Sequence, residues 1–218
     1  MIKGLIFDLD GVIVSTDRFH FQAWSRLAEE LNLEFDEKIN NKLRGVSRLE
    51  SLNIILNEKI NDYSLEEKEK LADKKNSIYI QLLKNLKPSD VADGFKDVYD
   101  YAKLHKIKTS IGSSSRNTKT ILKFIGLENN FDAIIDGNMI SNSKPNPEVF
   151  IKAATAIECF PSECLVVEDA LSGLMAAKAA GMISAGIGNA VTDKNCDYKI
   201  SNLRDLIKII KNHSKEVK

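Results

Sequence analysis

Five short apolar runs, each stopping at a polar or small residue, constrain this chain more than any other feature. Leu5-Ile6-Phe7 stops at Asp8, residues 107–111 at Gly112-Ser113, and Ala133-Ile134-Ile135 at Asp136. Leu165-Val166-Val167 stops at Glu168, and residues 183–187 at Gly188. Runs this short and this rich in Ile and Val read as strands covered on both faces. Helical patterns separate them at 95–105, 117–125, 147–157 and 172–180. Pro147 stands near the start of the third, where a missing N–H does little harm, and Gly181 is placed to end the fourth. Alternating strand and helix predicts an α/β fold, a doubly wound parallel sheet of Rossmann-like type with right-handed crossovers.

Between residues 17 and 86 the alternation stops. Phe19, Ala23, Leu27, Ala28 and Leu31 fall at helical spacing, 49–56 and 65–83 also read as helices, and no convincing strand intervenes. A chain of 218 residues has room for a medium domain with an insertion. The expectation is therefore an α/β core from residues 1–15 and 88–218, with an α-helical cap domain, 16–87, inserted after the first strand. The connections fall at 14–16 and 87–94, where Pro88 and Gly94 mark the second. The charged run 66–70 reads as a solvated helix face.

Charge and cysteine usage exclude several classes of function. Lys plus Arg and Asp plus Glu are 31 each, so no global field draws the protein to nucleic acid or to an anionic membrane. Three cysteines without a C-x-x-C pair argue against a disulfide framework or a zinc site and for reduced thiols. The apolar start meets Asp8 too soon for a signal peptide, and no apolar stretch approaches the roughly 20 residues of a membrane span. The expected protein is cytoplasmic and monomeric, with small molecules as partners rather than nucleic acid or membrane.

In open parallel sheets, ligands bind outside the carboxyl ends of the strands. Those ends carry Asp8 and Asp10, Ser113 to Ser115, Lys144 in the loop after the third strand, and Glu168 with Asp169. Two aspartates at a strand end are by themselves turn residues. Four carboxylates converging on one crevice repel one another, and a hard cation such as Mg²⁺ resolves the conflict. The cation leaves Lys144 and the serines unexplained. An ammonium with hydroxyl and backbone donors suits a phosphoryl group. One aspartate can then attack phosphorus while the other moves a proton.

Taken together, these residues resemble the haloacid dehalogenase superfamily over the whole chain. Asp8-Leu9-Asp10-Gly11-Val12-Ile13 matches its first motif, D-x-D-G-x-[VIT]; Ser113 matches the second, Lys144 in Ser143-Lys144-Pro145 the third, and Glu168-Asp169 the fourth. The resemblance implies Asp8 as nucleophile and Asp10 as general acid/base. It also implies Mg²⁺ held by Asp8, Asp10 through its backbone carbonyl, Glu168 and Asp169. The cap segments are similar to those of the superfamily's mutases for β-D-glucose phosphates: Thr16, His20 and Trp24; Arg44, Gly45, Val46, Arg48 and Ser51; and Lys75. Ala170 departs from the pattern, standing where Ser is common. The likeness implies interconversion of β-D-glucose 1-phosphate and 6-phosphate through an aspartyl phosphate and glucose 1,6-bisphosphate. Such an enzyme needs a second phosphate site, expected from Arg48 with Ser115, Arg116 and Asn117. His20 has two readings, a hydrogen bond at the cap hinge or a contact with substrate, and Trp24 also suits the cap's own core. The alternatives are a Mg²⁺-dependent phosphatase of a small sugar phosphate and a non-catalytic phosphosugar-binding protein.

Overall fold

The structure, a computed structural model, describes residues 1–43, 46–192, 194 and 196–215. In chain order its elements begin with β1 (Gly4–Phe7), α1 (Asp17–Glu30), α2 (Glu37–Lys42), α3 (Arg48–Leu56) and α4 (Leu65–Leu83). There follow α5 (Phe95–Leu104), β2 (Lys108–Gly112), α6 (Thr118–Phe124), β3 (Ala133–Ile135) and α7 (Glu148–Ala156). The chain continues through β4 (Cys164–Glu168), α8 (Leu171–Ala179), β5 (Ile183–Gly186), β6 (Tyr198–Lys199) and α9 (Asp205–Lys215). It divides into two compact units, Met1–Ser15 with Leu86–Lys218, and Thr16–Asn85.

The first unit is a six-stranded sheet in the order β3-β2-β1-β4-β5-β6, with every pairing parallel. This is the doubly wound fold that the alternation predicts. All of β1 and β4 is buried, which explains why neither strand alternates with polar residues. Successive side chains still point to opposite faces. Ile6, Cys164 and Val166 pack with Val149, Phe150 and Ala153 of α7 and with Ala176 and Ala177 of α8. Phe7 meets Phe95 and Phe131 in edge-on contacts, with centroids 5.8 and 6.4 Å apart. β6, which the apolar runs do not reveal, has two residues, too few for any period to register. α9 carries Leu206, Ile209 and Ile210 at helical spacing, all buried.

The two chain segments that leave and re-enter this unit are tied together inside it. Val14 pairs antiparallel with Val91, and the Ala92 N–H donates to the Ile13 carbonyl at 2.7 Å. Gly94 then opens α5 at φ +82°, a left-handed conformation that suits glycine.

The second unit is all-helical among its described residues. α1 buries Phe19, Ala23, Trp24, Leu27 and Ala28 along one stripe. Trp24, Leu27 and Ala28 join Leu52, Ile55 and Leu56 of α3 and Ala72 of α4 in one cluster. Side chains start three of the helices: Asp36 caps α2, Ser47 caps α3, and Ser64 with Glu67 closes a capping box on α4. No described helix is long and apolar enough to cross a membrane.

Candidate active site

The order of the strands reverses between β1 and β4, and such a switch point opens a crevice at the carboxyl ends. Phe7 pairs with Val167, so Asp8 and Glu168 emerge side by side there. The Asp8 N–H donates to the Val167 carbonyl at 2.9 Å, which holds the first aspartate at the end of the ladder. Lys144 reaches in from the loop after β3, through a cis peptide to Pro145. Its ammonium donates to Asp8 Oδ1 and to Glu168 Oε1, each at 2.5 Å. Its side chain is 8% exposed, so the ion pair is shielded from water.

Burial works against the charge of Lys144, but Asp8 and Glu168 together hold it above the ordinary lysine range. Burial also raises Asp8 well above the usual carboxylate range, against the pull of Lys144, and Glu168 and Asp169 push it further up.

Glu168 is fully committed. Its other oxygen, Oε2, accepts from the N–H groups of Asp169 and Ala170, each at 3.0 Å, at the start of α8. That contact fastens the turn leading into α8, whose N-cap residue, Ala170, has no side-chain cap of its own. Gly173 makes room for it: a Cβ there would fall 1.9 Å from the Glu168 carboxyl carbon. Asp169 lies against the turn after β1, since a Cβ on Gly11 would fall 2.0 Å from Asp169 Oδ2. Asp10, in that same turn, is half-buried and bridges through its backbone to Val14.

The loop after β2 folds on its own hydroxyls. Ser113 is buried, and its Oγ accepts from the Ser115 N–H, while Ser115 Oγ accepts from the Asn117 N–H, each at 3.2 Å. Arg116 is exposed, and its carbonyl accepts from Asn138.

Asp8, Asp169 and the Asp10 turn present only oxygen ligands, the kind Mg²⁺ takes. Among the described residues no three His, Cys, Asp or Glu side chains form a ready metal cage. The donor set fits an ion that keeps open positions for water and substrate.

The residues predicted for the cap fall into the helical unit, and several of them meet there. Lys75, 3% exposed, donates to His20 Nδ1 at 2.8 Å and stands over the Trp24 and Tyr79 rings at 4.7 and 4.9 Å. His20 stacks on Tyr79, whose hydroxyl donates to Thr16 Oγ1 at 2.8 Å. Burial lowers His20 well below the ordinary histidine range, and Lys75 and Arg48 lower it further. The imidazole is therefore neutral, accepting at Nδ1 and carrying its proton on Nε2. Arg48 bonds Asn76 Oδ1 at 3.0 Å and faces Asp73 at 3.4 Å. Ser51 is buried in α3, and the Val46 N–H donates to the Leu43 carbonyl. Arg44 and Gly45 lie outside the described residues. Sequence reasoning missed Tyr79, although it follows Lys75 by four residues as Trp24 follows His20.

Fold and site together define the class: a doubly wound α/β protein with an acidic crevice, centred on a buried ammonium, at its topological switch point. The chain belongs to the haloacid dehalogenase-like hydrolase family, whose model matches residues 5–187. It is 37% identical to the β-phosphoglucomutase of Bacillus subtilis strain 168, over 94% of this chain and 92% of that one. The crystal structure of β-phosphoglucomutase from Clostridium difficile superposes with a TM-score of 0.91 at 35% identity, covering 99% of this chain and 98% of the other. The phosphorylated carbohydrates phosphatase of Thermotoga maritima is 29% identical, over 83% of this chain and 82% of the relative.

Proposed function

We propose that the protein is a β-phosphoglucomutase, which interconverts β-D-glucose 1-phosphate and β-D-glucose 6-phosphate through β-glucose 1,6-bisphosphate. One observation carries the reading: the helical unit has its own cationic cluster, a buried Lys75 and a half-buried Arg48, around His20. A phosphatase needs one phosphate site, whereas a mutase must hold the far phosphate while the near one reacts. The likeness to a mutase over 94% of the chain supports the same reading.

In this mechanism an Asp8 carboxylate oxygen attacks phosphorus, and the phosphorus–ester oxygen bond breaks. Asp10 gives its proton to the departing sugar oxygen and recovers one from the hydroxyl that attacks in the reverse direction. Lys144 neutralises charge on the transferring group. Asp8, the Asp10 carbonyl and Asp169, with Glu168 beside them, would hold Mg²⁺, which would supply further charge neutralisation there. Ser113, Ser115 and Asn117 offer hydroxyl and amide donors to the phosphate. Arg48, whose guanidinium suits two phosphate oxygens at once, takes the far phosphate with Lys75 nearby. His20 and Trp24 fix Lys75 directly and Thr16 does so through Tyr79, and Ser51 and Val46 are assigned to binding the sugar. The bisphosphate then turns over and offers its other end to Asp8.

The second reading is a sugar-phosphate phosphatase, which the phosphatase relative favours. Incubation with β-glucose 1-phosphate, Mg²⁺ and a trace of β-glucose 1,6-bisphosphate separates the two. Glucose 6-phosphate is the expected product, and inorganic phosphate as the main product overturns the mutase. Asp8→Ala is expected to abolish turnover, and Arg48→Ala to cut mutase activity by about a hundredfold, the scale of losing a charged phosphate contact.

A further inference from the structure

Among the described residues, three groups hold the Lys144 ammonium, and one of them is uncharged. Besides Asp8 and Glu168, the ammonium stands 4.7 Å from the centroid of the Phe150 ring. Phe150 is 0% exposed, among Ile6, Val166 and Ala153. Its ring is also confined from below. A Cβ at Gly112 would fall 2.8 Å from Phe150 Cδ1 and 3.0 Å from Cε1, so the ring lies against bare backbone of β2. The Phe150 N–H donates to the Pro147 carbonyl at 3.1 Å in the first turn of α7. The loop that presents the cation and the turn that presents the ring are thus one short segment.

The face of an aromatic ring is electronegative and attracts an ammonium, more strongly where water is excluded. Asp8 and Glu168 pull the same ammonium in two directions. In the mechanism proposed above, Asp8 alternates between carboxylate and acyl phosphate, so its pull changes in every cycle. The ring's pull does not. We infer that Phe150 is a positioning residue whose ring face keeps the Lys144 ammonium on station between Asp8 and Glu168 while the charge on Asp8 changes. The inference rests on the reading of Asp8 as the phosphorylated residue.

A ring that served only as core would act through its volume, and volume can be separated from charge distribution. Placing 4-fluoro-, 3,5-difluoro- and 3,4,5-trifluorophenylalanine at position 150 alone weakens the ring face stepwise at nearly constant shape. Acetyl phosphate serves as a general phosphoryl donor, and formation of the aspartyl phosphate is followed. The rate is expected to fall stepwise, by about tenfold over the series, with KM and Tm unchanged. The ¹⁵N resonance of the Lys144 ammonium is expected to move in the same order. A flat rate and a flat resonance at unchanged Tm overturn the inference. If the unsubstituted protein forms no aspartyl phosphate while the resonance still follows the series, the Phe150 contact stands and the role of Asp8 falls.

Discussion

Gly173 puts two residue-scale effects in opposition. In a helix interior, glycine is less favourable than alanine by about 0.8–1.0 kcal/mol, so Gly173→Ala, third in α8, should stabilise the helix by up to that amount on propensity alone. The new Cβ, however, would overlap the Glu168 carboxyl at 1.9 Å, against a group that is 1% exposed with both oxygens bonded. Displacing it removes the N–H acceptor at the helix start and one of two partners of Lys144. Overlap therefore wins: Gly173→Ala is expected to lower both Tm and activity, whereas a raised Tm with full activity refutes this account of the glycine. Such a constraint was not legible beforehand, because Gly173 and Glu168 are brought together by the turn between β4 and α8. The charged residues were legible, since Asp8, Lys144 and Glu168 each stand at the end of an apolar run or in the loop beyond one. Phe150 was not, because an apolar residue in a helix reads as core whether or not a cation stands on it.

The loop joining β3 to α7 is an element without regular structure, yet it is tightly fastened. Glu148 accepts from the N–H groups of Ser141 and Asn142 at 2.8 to 3.1 Å and from Lys152 at 2.6 Å. These contacts lower Glu148 to about 2, Lys152 first and the two backbone donors next. A carboxylate depressed on folding contributes stability that is complete above its unfolded value and is lost as pH falls through its folded value. Loosening of the Lys144 loop is therefore expected as pH drops from about 4.5 to about 2, its window being the interval between the two states of Glu148. Hydrogen exchange at Ser141 and Asn142 checks this. Glu148→Gln should remove the pH dependence there and, by letting Lys144 wander, reduce kcat by up to about tenfold. At this scale the strands and helices were legible because their apolar periods repeat. β6 was not, being a two-residue edge strand placed by pairing with β5 rather than by its own pattern.

For the whole molecule, the interrupted order of the chain sets a condition on folding. β1 lies between β2 and β4, yet it is separated in sequence from both by the helical unit or more. A fragment of residues 86–218 lacks this strand and has two unpaired edges where β1 belongs, lined by Ile111 and Val167. It is expected to be unfolded or aggregated by circular dichroism and sedimentation. A fragment of residues 16–85 keeps its own buried cluster and is expected to be helical. A soluble, cooperatively unfolding 86–218 fragment contradicts this account. By itself, the sequence determined the class of fold, the presence of a helical insertion and the identity of the charged residues, because each rests on local periodicity or on a motif contiguous in the chain. Only the tertiary structure decided that Asp8 and Glu168 share one ammonium, that Gly11 and Gly173 clear space for carboxylates, and that Phe150 lies under Lys144. Those facts depend on which strands become neighbours, and strand order is set by packing across the sheet rather than by any one segment.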